Sequence, residues 1–177
     1  MDLTEKMVSS ETIFQGKIIK VTLDQARLPD GSLAAREVVY HPGGVAVLAL
    51  DGDGCVLTVT QYRYPFGRTL LEIPAGKLDS PDEDPYEAGL RELREETGAV
   101  EFTIRPVCAY SVRGKTGTHK SAEEETFGML FMADITSFEA LHCEIEAILV
   151  TDRPVDRWTY PLIQPRLLAE ARNRGFW

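Results

Sequence analysis

Three glutamates, Glu92, Glu95 and Glu96, fall within the short stretch Arg91-Glu92-Leu93-Arg94-Glu95-Glu96-Thr97-Gly98. An α-helix repeats about every 3.6 residues, so Glu92 and Glu96 lie in one stripe a turn apart, with Glu95 beside them. Carboxylates repel one another, so packing them together gains nothing unless a cation sits among them. Hard oxygen donors at this spacing suit Mg²⁺ or Mn²⁺, and those ions suit phosphate substrates. The competing reading is a solvated acidic face in which Arg91 pairs with Glu95 at i, i+4. Pro74-Ala75-Gly76 and Glu83, placed just ahead of the acidic stretch, argue for a site instead.

The helix that must carry these groups is well specified. Asp84 is expected as N-cap, Pro85 as its first residue, and Glu87 as the second half of an Asp-x-x-Glu capping box. Gly98 stands where a left-handed C-cap residue belongs. Tyr86, Leu90, Leu93 and Thr97 recur at helical spacing and are expected to face the core, with the acidic stripe flanking that side. Gly89 lies on the stripe and predicts the close approach of a neighbouring loop.

Strands surround this helix. Thr12–Gln15, Lys17–Leu23 and Ala35–Tyr40 alternate around a turn at Pro29-Asp30-Gly31-Ser32. Gly44–Leu50 and Cys55–Arg63 read as a hairpin about Asp51-Gly52-Asp53-Gly54. That turn lacks the spaced oxygens and terminal glutamate of an EF-hand. Leu70–Ile73 reads as a short strand, Glu101–Val107 and Phe127–Ala133 as two more, and Trp158–Arg174 as a terminal helix. Strands mixed with a central and a terminal helix predict an α/β sandwich.

With its register fixed, the acidic segment resembles the Nudix box: a glycine, five residues, a glutamate, seven residues, then Arg-Glu-U-x-Glu-Glu-x-Gly-U with U aliphatic. Here seven residues separate Glu83 from Arg91, six separate Gly76 from Glu83, and Ala99 with Val100 closes the pattern. The resemblance implies the Nudix fold, a mixed β-sheet sandwiched between helices, with an N-terminal antiparallel strand unit. It also implies a hydrolase that binds divalent metal and cleaves a nucleoside diphosphate linked to another group. Glu92 and Glu96 are then the principal ligands, Glu95 assists, and the Ala75 carbonyl matches a backbone ligand. Gly76 lets the chain approach metal and phosphate, while Arg91 orients the carboxylates.

His41-Pro42-Gly43-Gly44-Val45 and Gln61-Tyr62-Arg63-Tyr64-Pro65-Phe66-Gly67-Arg68, with Leu71-Glu72-Ile73-Pro74-Ala75-Gly76, resemble the ADP-ribose pyrophosphatase branch. That likeness implies residues 1–177 as a single Nudix hydrolase domain. Its strand unit, 1–42, would be exchanged in a homodimer, and its catalytic core would be 43–177. The implied substrate contacts are Arg63, Glu72 and Gly76, with Arg36 reaching the partner's site and Phe14 stacking on adenine. Arg113 stands near the place where the branch carries a proline; with Lys115 it is expected to hold a more acidic or differently shaped leaving group. A loop glutamate activates water in such enzymes. Among Glu123, Glu124 and Glu125 the expected base is Glu125, next to the following strand. His119 is read as a spectator, and His41 and His142 lack metal-ligand spacing. The reaction expected first is ADP-ribose to AMP and ribose 5-phosphate. The alternatives are a dinucleotide or oxidised nucleoside triphosphate as substrate, and a non-catalytic nucleotide sensor as function.

Composition bounds the rest. Hydrophobic content of 44% and charged content of 27% suit a soluble globular protein. A formal net charge of −9 argues against nucleic-acid and anionic-membrane partners; the small nucleotide that the resemblance implies can still bind where a metal and a few arginines are focused. The three cysteines, Cys55, Cys108 and Cys143, are odd in number and far apart, as free thiols in a reducing cytosol would be. The polar start and the absence of a long apolar run predict no signal peptide or membrane span, hence a cytoplasmic protein.

Overall fold

The computed structural model describes residues 2–115, 123–140, 147–151, 158 and 162–176, with only the backbone at 112–115, 123–126 and 147–151. Two compact units emerge, Met1–Pro42 and Gly43–Trp177.

The first unit is an antiparallel sheet of β1 (Lys6–Gln15), β2 (Lys20–Arg27) and β3 (Leu33–Tyr40). Arg27 faces Leu33 across the turn expected at 29–32, and Asp24 faces Arg36. The β1–β2 register shifts at Met7/Ser9 and Thr12/Phe14, each shift adding a residue to β1, as a β-bulge does. β1 is exposed along its whole length.

The second unit holds a seven-stranded mixed sheet. Its strands are β4 (Gly44–Leu50), β5 (Val56–Arg63), β6 (Arg68–Glu72), β7 (Ala75–Lys77), β8 (Ala99–Lys115), β9 (Glu123–Phe138) and β10 (Ala147–Thr151). The main path runs β10-β5-β4-β9-β8, with β6 paired to β5 and β7 to β4. β4 is the central strand, parallel to β9 from Gly44↔Gly128 to Leu50↔Asp134. Its apolar run therefore serves both faces. Val45, Val47 and Ala49 pack with Ala88 and Leu93 of helix α1 (Pro85–Thr97) on one side. On the other side Ala46, Leu48 and Leu50 pack with Leu167, Leu168 and Ala171 of helix α2 (Gln164–Asn173). A mixed sheet between helices is thus what the chain forms.

Several expectations change in detail. β8 and β9 are far longer than the segments read from the sequence, because they pair with each other from Ala99↔Phe138 to Lys115↔Glu123. β10, unforeseen, pairs antiparallel with β5 at Ala147↔Thr60 through Thr151↔Val56. The terminal helix begins at Gln164 rather than Trp158. At the head of α1 the Asp84 carboxylate accepts from the Tyr86 N–H at 2.8 Å, one position short of a capping-box bond. Asp51 closes the β4–β5 turn by accepting from the N–H groups of Asp53 and Cys55, so the hairpin reading stands.

Candidate active site

α1 is aimed by its two ends. Pro85 follows the Asp84 cap, and Gly98 takes φ 69° while its N–H returns to the Arg94 carbonyl. A Cβ at Gly98 would lie 2.4 Å from the Glu139 carbonyl, so both conformation and space demand glycine there. The buried seam of the helix is Ala88, Gly89, Glu92, Leu93 and Thr97. Leu93 and Thr97 are buried as expected, but Tyr86 is exposed and meets Phe131 edge-on, and Glu92 joins the buried seam. The close neighbours of Gly89 are the Phe131 and Ile104 side chains of the sheet, not a loop.

β4 pins the glycine turn against this seam. Val45 pairs with Gly76 and Ala46 with Ala75, and the Val47 N–H donates to the Pro74 carbonyl at 2.8 Å. Gly76 then lies directly over Glu92: a Cβ there would stand 2.0 Å from the Glu92 carboxylate carbon. The Ala75 N–H donates to Glu96 Oε2 at 2.9 Å. Glu96 is thereby held by the turn that precedes the helix, and Glu92 lies against it.

Arg91 ties the remaining groups together. It donates to Glu92 Oε1 at 2.5 Å, to the Lys77 carbonyl at 3.2 Å and to Glu83 at 3.3 Å. Asp79 approaches it to 3.5 Å and Glu95 to 3.8 Å. Glu83 in turn accepts from the Asp79 N–H at 2.5 Å. The guanidinium is therefore committed to orienting carboxylates. Asp79 and the Lys77 carbonyl were not foreseen; the only signal was that they sit in the loop one residue longer than the box.

On the far side of Glu96 stands Glu72, 2% exposed, whose Oε2 accepts from both Nε (3.0 Å) and Nη2 of Arg63. Burial pushes the Glu96 carboxyl up to about 7, opposed by the Ala75 N–H and reinforced by the charge of Glu92. Glu92 is raised by the same burial, with Arg91 pulling it back. Glu92 is buried and Glu96 half-buried, and a cation between them would offset the charge that their surroundings disfavour.

The donor set fits a hard divalent ion: carboxylate oxygens from Glu92, Glu96 and Glu95, the backbone at Ala75, and a cradle kept open by Gly76. Among the described residues no three His, Cys, Asp or Glu side chains converge as a ready-made ligand set; Arg91 bonds to Glu92 and the Ala75 N–H to Glu96.

Of the expected site residues, the structure gathers Ala75, Gly76, Glu72, Arg63, Glu92, Glu95 and Glu96. Arg36 and Phe14 belong to the first unit, where Arg36 is paired with Glu5 at 2.8 Å and Phe14 is 52% exposed, not core. Arg113 and Glu125 face each other in the β8–β9 ladder, so Glu125 stands within β9 and not on the loop expected, because β9 pairs with β8 as far as Glu123; the side chains of both, and all of His119 and His142, lie outside the described residues. A cavity of about 470 Å³ between β8 and α2 is lined by Tyr110, Arg166 and Arg174 among others. No box carboxylate lines it.

Comparison with known proteins agrees with this geometry. The NUDIX domain family matches residues 40–157, and the nucleoside diphosphate sugar hydrolase N-terminal domain matches residues 5–39. An ADP-ribose pyrophosphatase of Bacillus subtilis is 45% identical over 108 residues, 61% of this chain and 58% of that protein. A methanol dehydrogenase activator of Bacillus methanolicus is 47% identical over 53% of this chain and 50% of its own length. An ADP-ribose pyrophosphatase of Mycobacterium tuberculosis is 48% identical over 51% and 44%. The chain thus spans about half the length of the curated relatives it matches. A solved ADP compounds hydrolase superposes with a TM-score of 0.56 at 19% identity, covering 99% of this chain and 91% of that one, which is a likeness of fold. On the domain match, the fold and the box on α1, the chain belongs to the Nudix family.

Proposed function

We propose that the chain hydrolyses the diphosphate of a nucleoside diphosphate sugar, with ADP-ribose and water giving AMP and ribose 5-phosphate. The observation that carries this reading is the carboxyl pair, Glu92 buried and Glu96 half-buried, set under the glycine turn with the Arg63 guanidinium alongside. The match of residues 5–39 to a nucleoside diphosphate sugar hydrolase N-terminal domain, and the likeness to two ADP-ribose pyrophosphatases, support the substrate class.

Nudix hydrolases generally need a divalent metal; we take Mg²⁺ as the ion, with Mn²⁺ as substitute. Glu92, Glu95, Glu96 and the Ala75 carbonyl would hold it, and when bound it neutralises the charge that builds on the phosphate oxygens. The chain's own groups do the rest. Arg91 fixes Glu92, the Ala75 N–H fixes Glu96, and Gly76 keeps the space between turn and helix open. Arg63 receives the anionic diphosphate, with Arg113 and Gly76 as further contacts. A water oxygen bonds to one phosphorus as that atom's bond to the bridging oxygen breaks. The leaving phosphate keeps the electron pair, and Glu125 takes the proton of the water.

We further read 1–177 as one hydrolase domain whose strand unit, 1–42, is exchanged in a homodimer, with Arg36 and Phe14 serving the partner's nucleotide. The exposed Met7, Ile13, Phe14 and Val39 of that unit support it. A monomer by light scattering sinks that part of the reading. Among the described residues no helix is long and apolar enough to cross a membrane. We place the protein in the cytosol, where the thiols of Cys55 and Cys108, neither of them in a disulfide, stay reduced.

The test is incubation with ADP-ribose and Mg²⁺, products followed by chromatography, beside Glu96→Gln. AMP and ribose 5-phosphate from wild type, largely lost in the variant, support the reading. Turnover only of a dinucleotide or oxidised nucleoside triphosphate discards the substrate. Silence across the panel with both metals favours a nucleotide sensor.

A further inference from the structure

Glu72 ends a short strand and carries a charge into a place that is almost closed to water, with 3% of its side chain exposed. Its two oxygens have different fates. Oε2 takes both Nε and Nη2 of Arg63, whereas Oε1 is enclosed and has no hydrogen-bond partner among the described residues. An enclosed oxygen offers nothing for a nucleotide to touch, so the residue acts through its neighbour. Arg63 keeps 34% of its side chain exposed and lies close enough to Glu96 to offset part of that residue's burial. The pair thus has a buried half and a presented half. Two N–H groups on one oxygen fix the plane of a guanidinium, since rotating it breaks one of the bonds. A lysine has no such plane to fix.

We propose that Glu72 is the positioning residue for Arg63 and, through the orientation it imposes, sets the affinity of the site for the diphosphate of its nucleotide. This rests on the reading of the site as a nucleoside diphosphate hydrolase, and it moves Glu72 from substrate contact to support. The pairing spans the β5–β6 hairpin: the register sets Glu72 opposite Val59 and Arg63 opposite Arg68, and the long Arg63 side chain reaches back along the hairpin to the buried carboxylate.

The experiment compares wild type, Glu72→Gln, Arg63→Ala and the double variant. ADP affinity is measured by calorimetry with Mg²⁺ present, Mn²⁺ affinity in the absence of nucleotide, and KM and kcat on ADP-ribose. Glu72→Gln is expected to weaken ADP and raise KM on the order of tenfold to a hundredfold, with kcat nearly unchanged. Mn²⁺ affinity should stay at the wild-type value, and the double variant should bind ADP no worse than Arg63→Ala alone. Unchanged or tighter ADP binding in Glu72→Gln overturns the proposal. So do losses that multiply in the double variant, or a fall in Mn²⁺ affinity as large as that for ADP, which would put Glu72 among the metal ligands. If wild type binds ADP without hydrolysing ADP-ribose, the substrate reading fails, and the ADP affinities alone decide the role of Glu72. Wild type that binds no ADP overturns both. Should Glu72→Gln fail to fold, Arg63→Lys, which keeps a cation but loses the two-point hold, carries the same comparison.

Discussion

Replacing Gly76 by alanine tests the site at its tightest contact. The added Cβ would stand 2.0 Å from the Glu92 carboxylate carbon and 2.1 and 2.3 Å from its oxygens. Ordinary contact begins near 3.4 Å, so the carboxylate must retreat by about 1.4 Å, several times the ~0.2 Å tolerance of a metal–ligand distance. The displaced atoms are the far end of a flexible side chain, so the fold survives and Glu92 gives way. It cannot give way freely, because Arg91 grips the same carboxylate at 2.5 Å and is itself tied to Glu83 and the Lys77 carbonyl. Misplacing a reacting group by about 1 Å costs on the order of 10²-fold in rate, or roughly 2.7 kcal/mol. We expect Gly76→Ala to lose about that much in kcat/KM on ADP-ribose and a similar factor in Mn²⁺ affinity by calorimetry, with a nearly unchanged melting temperature. Gly76→Ala/Glu92→Gln should be little worse than Gly76→Ala, since both act on one ligand. A Gly76→Ala protein that keeps metal affinity and turnover within about threefold of wild type refutes the claim that this turn fixes Glu92.

Other expectations follow from the same contacts. Glu96 is raised from 4.5 to about 7 by burial, so the fold favours its protonated form. Its contribution is full below the unfolded value and disappears as pH rises through about 7, a loss of up to ~3 kcal/mol in the metal-free protein. Chemical denaturation from pH 4.5 to 8 should show this fall in wild type relative to Glu96→Gln, and saturating Mg²⁺ should flatten it; a gap that stays constant with pH contradicts the assignment. Arg91→Ala should leave Glu92 and Glu83 without their shared counter-charge and reduce kcat/KM on the order of 10²-fold. Arg91→Lys should recover only part of that, because an ammonium cannot reach both carboxylates and the Lys77 carbonyl at once; full recovery would show that charge alone matters. Asp84→Ala removes the cap on the Tyr86 N–H and should cost about 1 kcal/mol in stability while sparing kcat wherever the protein is folded.

The helix and its acids were legible because their signals are local. Asp84, Pro85 and Gly98 mark the ends through bonds to residues within four positions, and 3.6-residue periodicity alone puts Glu92 and Glu96 on one stripe. The β4–β5 turn was legible for the same reason, with Asp51 satisfying the N–H groups of its own loop. The buried face of α1 was legible only in part. Of the expected Tyr86, Leu90, Leu93 and Thr97, Leu93 and Thr97 are buried and Tyr86 is exposed, and only the sheet, by placing Phe131 and Ile104 against Gly89, turned Glu92 inward. β10 was missed because a short apolar run becomes a strand only when β5 supplies a partner, and β8 and β9 outgrew their apolar segments by pairing with one another.

The chain alone therefore determined the carboxylates, their spacing, the helix that bears them and the family pattern they complete. Each of these rests on neighbours in sequence. Tertiary structure decided the rest: that Gly76 lies over Glu92, that the Ala75 N–H holds Glu96, that Arg91 gathers Glu83 and Asp79, and that Glu72 holds Arg63. These contacts join segments brought together by strand register and by the seating of α1 on the sheet. Register is set by cross-strand hydrogen bonds and by which faces can be buried, and neither is visible until the whole sheet is assembled.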